Sequence, residues 1–99
     1  MKMTRTDHED ETTVTIVGKL EEGTAPQFRT LIDELLAANR RHITLDLLEL
    51  SSIDSSGVGV IVSLHKQVRE RGGEVKLVGL TGQPLAFLRL MRLDKVFSM

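Results

Sequence analysis

The sequence predicts an α/β protein: one domain spanning residues 1–99, with a mixed, mostly parallel β-sheet covered by about three to four helices. Three observations carry that prediction. Two long stretches repeat apolar residues at helical spacing, and each is followed by a helix-stopping residue. Short stretches of alternating or β-branched residues lie before, between and after them. Strand–helix–strand units of this spacing pair in parallel through right-handed crossovers, which puts the helices over the sheet.

Taken in order, residues 2–6 suit a short edge strand, and Asp7-His8-Glu9-Asp10-Glu11 reads as a charged turn. Thr12–Val17 is nearly all β-branched and predicts a strand, which Gly18 is expected to break. Thr24-Ala25-Pro26-Gln27 has the pattern of a capping box, with Thr24 as N-cap and Gln27 reaching back. Phe28, Leu31, Ile32, Leu35 and Leu36 then form one apolar stripe, so a helix is expected over 24–39, with Asn39 ending it. His42–Leu47 alternates and predicts a central strand entering a loop, to which Leu48 and Leu50 add apolar surface, before the next helix. A second helix is expected over 57–71, apolar nearly all round at its start and charged at its end, stopped by Gly72-Gly73. Residues 74–80 predict another strand, Thr81-Gly82-Gln83-Pro84 opens a third helix to about Leu93, and Val96-Phe97 suits a last short strand. Leu85, Phe87, Leu90 and Leu93 on that helix are equally suited to a core or an interface.

The composition narrows the classes of function. A formal net charge of −1 lacks the concentrated basic face that nucleic acid needs, and three Phe with no Trp or Tyr make no stacking platform. The basic residues Arg40, Arg41, Arg69 and Arg71 fall at helix ends, where they suit the dipole. With no cysteine, thiolate metal sites and cysteine nucleophiles drop out. No run approaches the roughly 18 apolar residues of a membrane span, and the first residues lack a signal-peptide core, so a cytoplasmic protein without membrane insertion is expected.

Asp54-Ser55-Ser56-Gly57-Val58-Gly59 combines polarity, flexibility and a helix start, beyond the carboxyl end of the central strand. Enzymatic readings of it are poor. A serine hydrolase needs a base beside Ser55 or Ser56, and His65 lies roughly 15 Å further along the same helix. His42 starts the preceding strand, at the far end from Ser55, and His8 lies in the charged turn region. The phosphate-loop pattern is absent, and no set of His, Asp and Glu has ligand spacing, so no catalytic residue, cofactor or metal is expected. Two readings of the segment stay open on its residues alone. It is an N-cap with packing glycines, or it is a switch in which a phosphoserine at a helix start adds roughly −1.5 to −2 charge without unfolding the protein.

The chain resembles the STAS-domain family, in particular the bacterial anti-sigma factor antagonists. Gly18-Lys19-Leu20-Glu21 with Thr24-Ala25 is similar to one family segment. Leu45-Asp46-Leu47 through Ser51-Ser52-Ile53-Asp54-Ser55-Ser56-Gly57-Val58-Gly59-Val60 is similar to its central signature, and Gly72-Gly73-Glu74 to its next strand entry. The resemblance implies a binding protein rather than an enzyme. Its partner would be an anti-sigma factor that is also a serine kinase. The unphosphorylated form binds that partner, phosphorylation of the serine after the Asp ends binding, and a phosphatase restores it. Carried over, the phosphoacceptor is Ser55, and the partner-binding residues are Glu21, Asp54, Ser55, Ser56, Gly57 and Val58. The family commonly has Asp where this chain has Glu21, so the carboxylate there is kept but lengthened. The same fold also permits a constitutive STAS subunit of a transporter or signalling assembly, with no phosphorylation cycle.

Overall fold

A computed structural model describes residues 1–97. The chain runs β1 (Lys2–His8), β2 (Glu11–Leu20), α1 (Ala25–Ala37), β3 (His42–Asp46), β4 (Leu50–Ile53), α2 (Ser55–Glu70), β5 (Glu74–Val78) and α3 (Gly82–Leu90). The sheet order is β1-β2-β3-β5, with β4 also paired to β2. Only β1 and β2 are antiparallel; β2–β3, β2–β4 and β3–β5 are parallel. The mixed, mostly parallel sheet and its helices are therefore as the sequence predicts, with three helices.

Alternation along the strands builds the core. Val14, Ile16 and Leu20 of β2, Ile43 and Leu45 of β3, and Val75 and Leu77 of β5 are buried on one face. Phe28, Ile32, Leu35 and Leu36 of α1 and Val58, Val60, Ile61, Leu64 and Val68 of α2 close over them. Thr13, Thr44 and Lys76, matched in register across the same strands, belong to the opposite, polar face.

The ends of both long helices follow from single residues. Asn39 takes a left-handed φ of 57°, and Asn39 N–H and Arg40 N–H donate to Leu36 O and Leu35 O at 3.0 and 2.9 Å. Those bonds satisfy the last carbonyls of α1. Gly72 does the same for α2, with Gly72 N–H and Gly73 N–H donating to Arg69 O and Val68 O. Arg71 adds a bond from Nη1 to Leu36 O at 2.7 Å, so it complements the end of α1 as its position suggests.

Several local expectations are corrected. The charged turn shrinks to Glu9-Asp10, because β1 continues to His8 and β2 starts at Glu11. Glu9 sits at φ 55°, and Arg40 Nη2 holds the turn by donating to Glu9 O and Glu11 O, both at 2.9 Å. Gly18 does not break its strand. At φ 105° it lets β2 bend and change partner, from β3 at residues 11–15 to β4 at residues 18–20. Thr24 forms no capping box: it is itself near-helical (φ −113°, ψ −17°). Its hydroxyl instead donates to Lys19 O at 2.8 Å and accepts from Glu21 N–H at 2.9 Å. Residues 50–53, expected in a loop, are strand β4, and β3 and β5 end at Asp46 and Val78, each short of its expected end. The second helix starts two residues earlier than expected, and the third ends at Leu90. Val96-Phe97 is a turn, not a strand; Phe97 is buried, with its ring edge-on to His65 at 4.8 Å between centroids.

Candidate functional site: the start of helix α2

Chain direction places the site. β4 leaves the sheet at Ile53, and Asp54 turns the chain with extended backbone (φ −119°, ψ −174°) into Ser55, the first residue of α2. Asp54 Oδ1 accepts from Gly57 N–H at 3.0 Å, an N-cap bond to the third helical residue. Its Oδ2 accepts from Glu22 N–H, also at 3.0 Å, and its own N–H donates to Leu20 O at 3.3 Å. One aspartate therefore ties together the end of β2, the loop before α1 and the start of α2. The Gly57 N–H bond holds its carboxyl below the usual carboxylate range; burial opposes this, and the Glu22 N–H bond adds to the lowering. A carboxylate with both oxygens so engaged is a poor proton acceptor.

Gly57 is buried where the start of α2 packs on Leu20, the last residue of β2, and Ile53, the last of β4. A methyl there would collide with the Leu20 carbonyl oxygen and come within 2.9 Å of both Ile53 Cγ1 and Leu20 Cγ. Gly59, two residues on, faces open space. Glycine thus does two different things in one helical turn: Gly57 permits contact, and Gly59 leaves a gap.

That gap belongs to a groove of about 330 Å³ between α1 and α2. Ala25, Pro26 and Arg29 line it from α1, Ser55, Ser56 and Gly59 from α2, and Glu22 from the preceding loop. Ser55 is exposed and Ser56 half-buried, and neither hydroxyl has a hydrogen-bond partner among the described residues. Glu21 lies at the adjoining loop, its Oε2 accepting from Ser52 Oγ at 3.1 Å. Of the six residues to which the resemblance gives a partner-binding role, Glu21, Asp54, Ser55 and Ser56 present polar atoms near this groove. Gly57 and Val58 are buried, so they shape the helix start from beneath.

No histidine lines the groove. His42 Nε2 lies 3.8 Å from Asp10 Oδ2, and His65 packs on Phe97. Among the described residues no three His, Cys, Asp or Glu side chains gather to hold a metal ion, and no helix is long and apolar enough to cross a membrane.

Two contributors had no signal in the sequence. Gln83, in the first turn of α3, accepts from Ile53 N–H at 2.8 Å and donates from Nε2 to Ile53 O at 2.9 Å. Its amide pairs with the last residue of β4 as a neighbouring strand would, directly before Asp54. Arg29 is one exposed polar residue among many on α1, and only the packing of α1 on α2 brings it to Ser55.

A mixed, mostly parallel sheet covered by helices thus presents a capped helix start beside an open groove. The chain belongs to the STAS domain family, whose sequence model matches residues 2–99. It is similar to the anti-sigma-B factor antagonist of Listeria monocytogenes, 28% identical over 94% of this chain and 79% of that one. It is 32% identical to the anti-sigma-B factor antagonist of Bacillus subtilis, over 75% of this chain and 67% of that one. Among solved structures, a Thermotoga maritima protein at 28% identity superposes with a TM-score of 0.89, covering 95% of this chain and 81% of that one.

Proposed function

We propose that this protein is an anti-sigma factor antagonist: a cytoplasmic binding protein, not an enzyme, that sequesters an anti-sigma factor with serine kinase activity and lets it go when Ser55 is phosphorylated. The observation that carries the reading is the placement of Ser55. It is exposed, its hydroxyl is unbonded among the described residues, and it opens a helix whose cap is the neighbouring Asp54. The names of the similar Listeria and Bacillus proteins support the same partner class.

The chemistry asked of this chain is small. Ser55 Oγ forms the bond to the γ-phosphorus of ATP, the bond to the bridging oxygen breaks, and ADP leaves. The hydroxyl proton goes to a base on the kinase, because the engaged, low-pKa carboxylate of Asp54 is unsuited to take it. A phosphatase reverses the modification by hydrolysis. The added charge sits at the positive end of the α2 dipole, which the fold tolerates, and it replaces a neutral hydroxyl on the docking surface.

The test is a pull-down from the protein's own cell extract with and without ATP, followed by phosphosite mapping. An ATP-sensitive complex with a kinase-type anti-sigma factor and phosphate on Ser55, lost in Ser55→Ala, is the expected result. Phosphate elsewhere overturns the site. Stable co-purification with a transporter ATPase, with Ser55 unmodified under every condition, overturns the cycle in favour of a constitutive subunit.

A further inference from the structure

We propose that Arg29 is the built-in counter-ion of a phosphate on Ser55, and that the α1–α2 groove is the seat into which that phosphate folds. The inference rests on Ser55 being the modified residue and adds what the modified residue does next.

Arg29 is the one cationic side chain among the residues lining the groove, which it shares with Ser55 and Ser56. Four of the other seven arginines are committed to structure: Arg5 to Asp7, Arg40 to Thr12 and the β1–β2 turn, Arg41 to Arg71 O, and Arg71 to Leu36 O; Arg69, Arg89 and Arg92 do not line this groove. The Arg29 guanidinium makes no hydrogen bond or ion pair among the described residues, so engaging a phosphate breaks nothing. Its planar fork of N–H donors suits two phosphate oxygens at once.

The local charge makes this cation decisive. A phosphate on Ser55 arrives beside the ionised Asp54 and near Glu22, both of which repel it. Without Arg29 the dianion is driven outward into water. With Arg29 it has one favourable direction, across the groove towards α1. Space permits it: Gly59 has nothing within 4 Å of where a Cβ would stand. The groove volume of about 330 Å³ compares with about 30 Å³ for a water in the liquid, so a phosphate fits with solvent to spare. Phosphorylation then does more than add charge to a surface. It occupies part of the groove and engages the cation that lines it.

The test needs no kinase. Phosphoserine is placed at position 55 by genetic encoding in the full chain, and the second ionisation of the phosphate is followed by phosphorus NMR. Three proteins are compared: the otherwise unaltered chain, Arg29→Gln, and Lys66→Gln, whose lysine lines a different groove beside His65. The expected midpoint with Arg29 in place is lower than in Arg29→Gln by about half a unit, less than the 1–3 units an adjacent Arg produces on carboxylates because this groove is open. Lys66→Gln should match the unaltered chain, and the Arg29 effect should shrink as salt is raised. Equal midpoints with and without Arg29, or an equal shift in Lys66→Gln, overturn the seat. Because the phosphate is encoded, that failure is separate from a failure of the kinase cycle. A Ser55 that no kinase modifies overturns the proposed function and leaves the midpoint comparison unaffected.

Discussion

Replacing Gly57 and Gly59 by alanine, one at a time, should move stability in opposite directions. Both lie in the first turns of α2, and in a helix interior alanine is favoured over glycine by about 0.8–1.0 kcal/mol. Gly59 has open space where its Cβ would go, so Gly59→Ala should collect most of that gain, about 0.5–1 kcal/mol. Gly57 does not. Its new methyl meets the Leu20 carbonyl oxygen, and that oxygen cannot swing aside because it accepts from Asp54 N–H. Ile53 Cγ1 and Leu20 Cγ, each 2.9 Å from the added carbon, close the other exits, and Leu20 and Ile53 are both core residues.

Overpacking of this kind costs about 1–3 kcal/mol and here consumes the helix gain, leaving Gly57→Ala no more stable than the parent and up to about 2 kcal/mol less stable. The two variants should therefore differ by roughly the overpacking cost, about 1–3 kcal/mol. At the 4–8 °C per kcal/mol typical of a chain this size, that is a separation in Tm on the order of 10 °C. Urea titration followed by circular dichroism measures the same difference as a shift of midpoint at constant slope. If Gly57→Ala proves as stable as Gly59→Ala, the start of α2 does not sit against Leu20 and Ile53 as described, and the position of Ser55 beside them is wrong with it.

Ser55→Asp should weaken binding of the partner while changing stability by no more than about 0.5 kcal/mol, as for other exposed substitutions; a large loss of Tm would make Ser55 a structural residue. Arg40→Ala removes bonds of 2.7 Å to Thr12 Oγ1 and 2.9 Å to Glu9 O and Glu11 O, and should cost about 1–3 kcal/mol by thermal unfolding. Asp54 is held below its ordinary value of 3.8, so its ionised form favours the folded state. That stabilisation is complete above 3.8 and is lost as pH falls through the lowered folded value; Asp54→Asn should flatten this part of the acid-unfolding profile. Gln83→Leu strips both amide bonds from Ile53, and hydrogen exchange at the Ile53 N–H should accelerate well before the β2–β3 amides respond.

What was legible in the sequence is what short-range chemistry decides. Asn39 and Gly72 end their helices because each can take a left-handed backbone locally, whatever surrounds it. Asp54 caps α2 for the same reason, since its partner is three residues away. The failures are places where a distant residue wins. Thr24 has the right sequence for a capping box, but Lys19 O and Glu21 N–H claim its hydroxyl. Strand β4 was hidden by its own irregularity: Gly18 pairs with Leu50 and Lys19 with Ser52, so Ser51 is an extra residue. That bulge buries Leu50 and Ile53 at a spacing of three and erases the two-residue alternation that would announce a strand. Phe97 is apolar because it covers His65, not because it pairs in the sheet. The groove itself is tertiary throughout, since Arg29 and Ser55 line it together only when α1 packs on α2.

Under the proposed function, the division of labour within these residues lets the site switch without refolding. Every strong local bond at the start of α2 is made by Asp54 or by backbone, and Gly57 and Val58 beneath them are locked into the core. The Ser55 hydroxyl takes part in none of these bonds, so a phosphate ester there would leave the cap and the contact of Gly57 with Leu20 intact. A serine that itself capped the helix would lose its cap on modification, and the signal would be partial melting. Because the aspartate caps and the serine does not, a phosphate on Ser55 would change the charge beside the groove and leave the cap in place, which is what the proposed release of a partner requires.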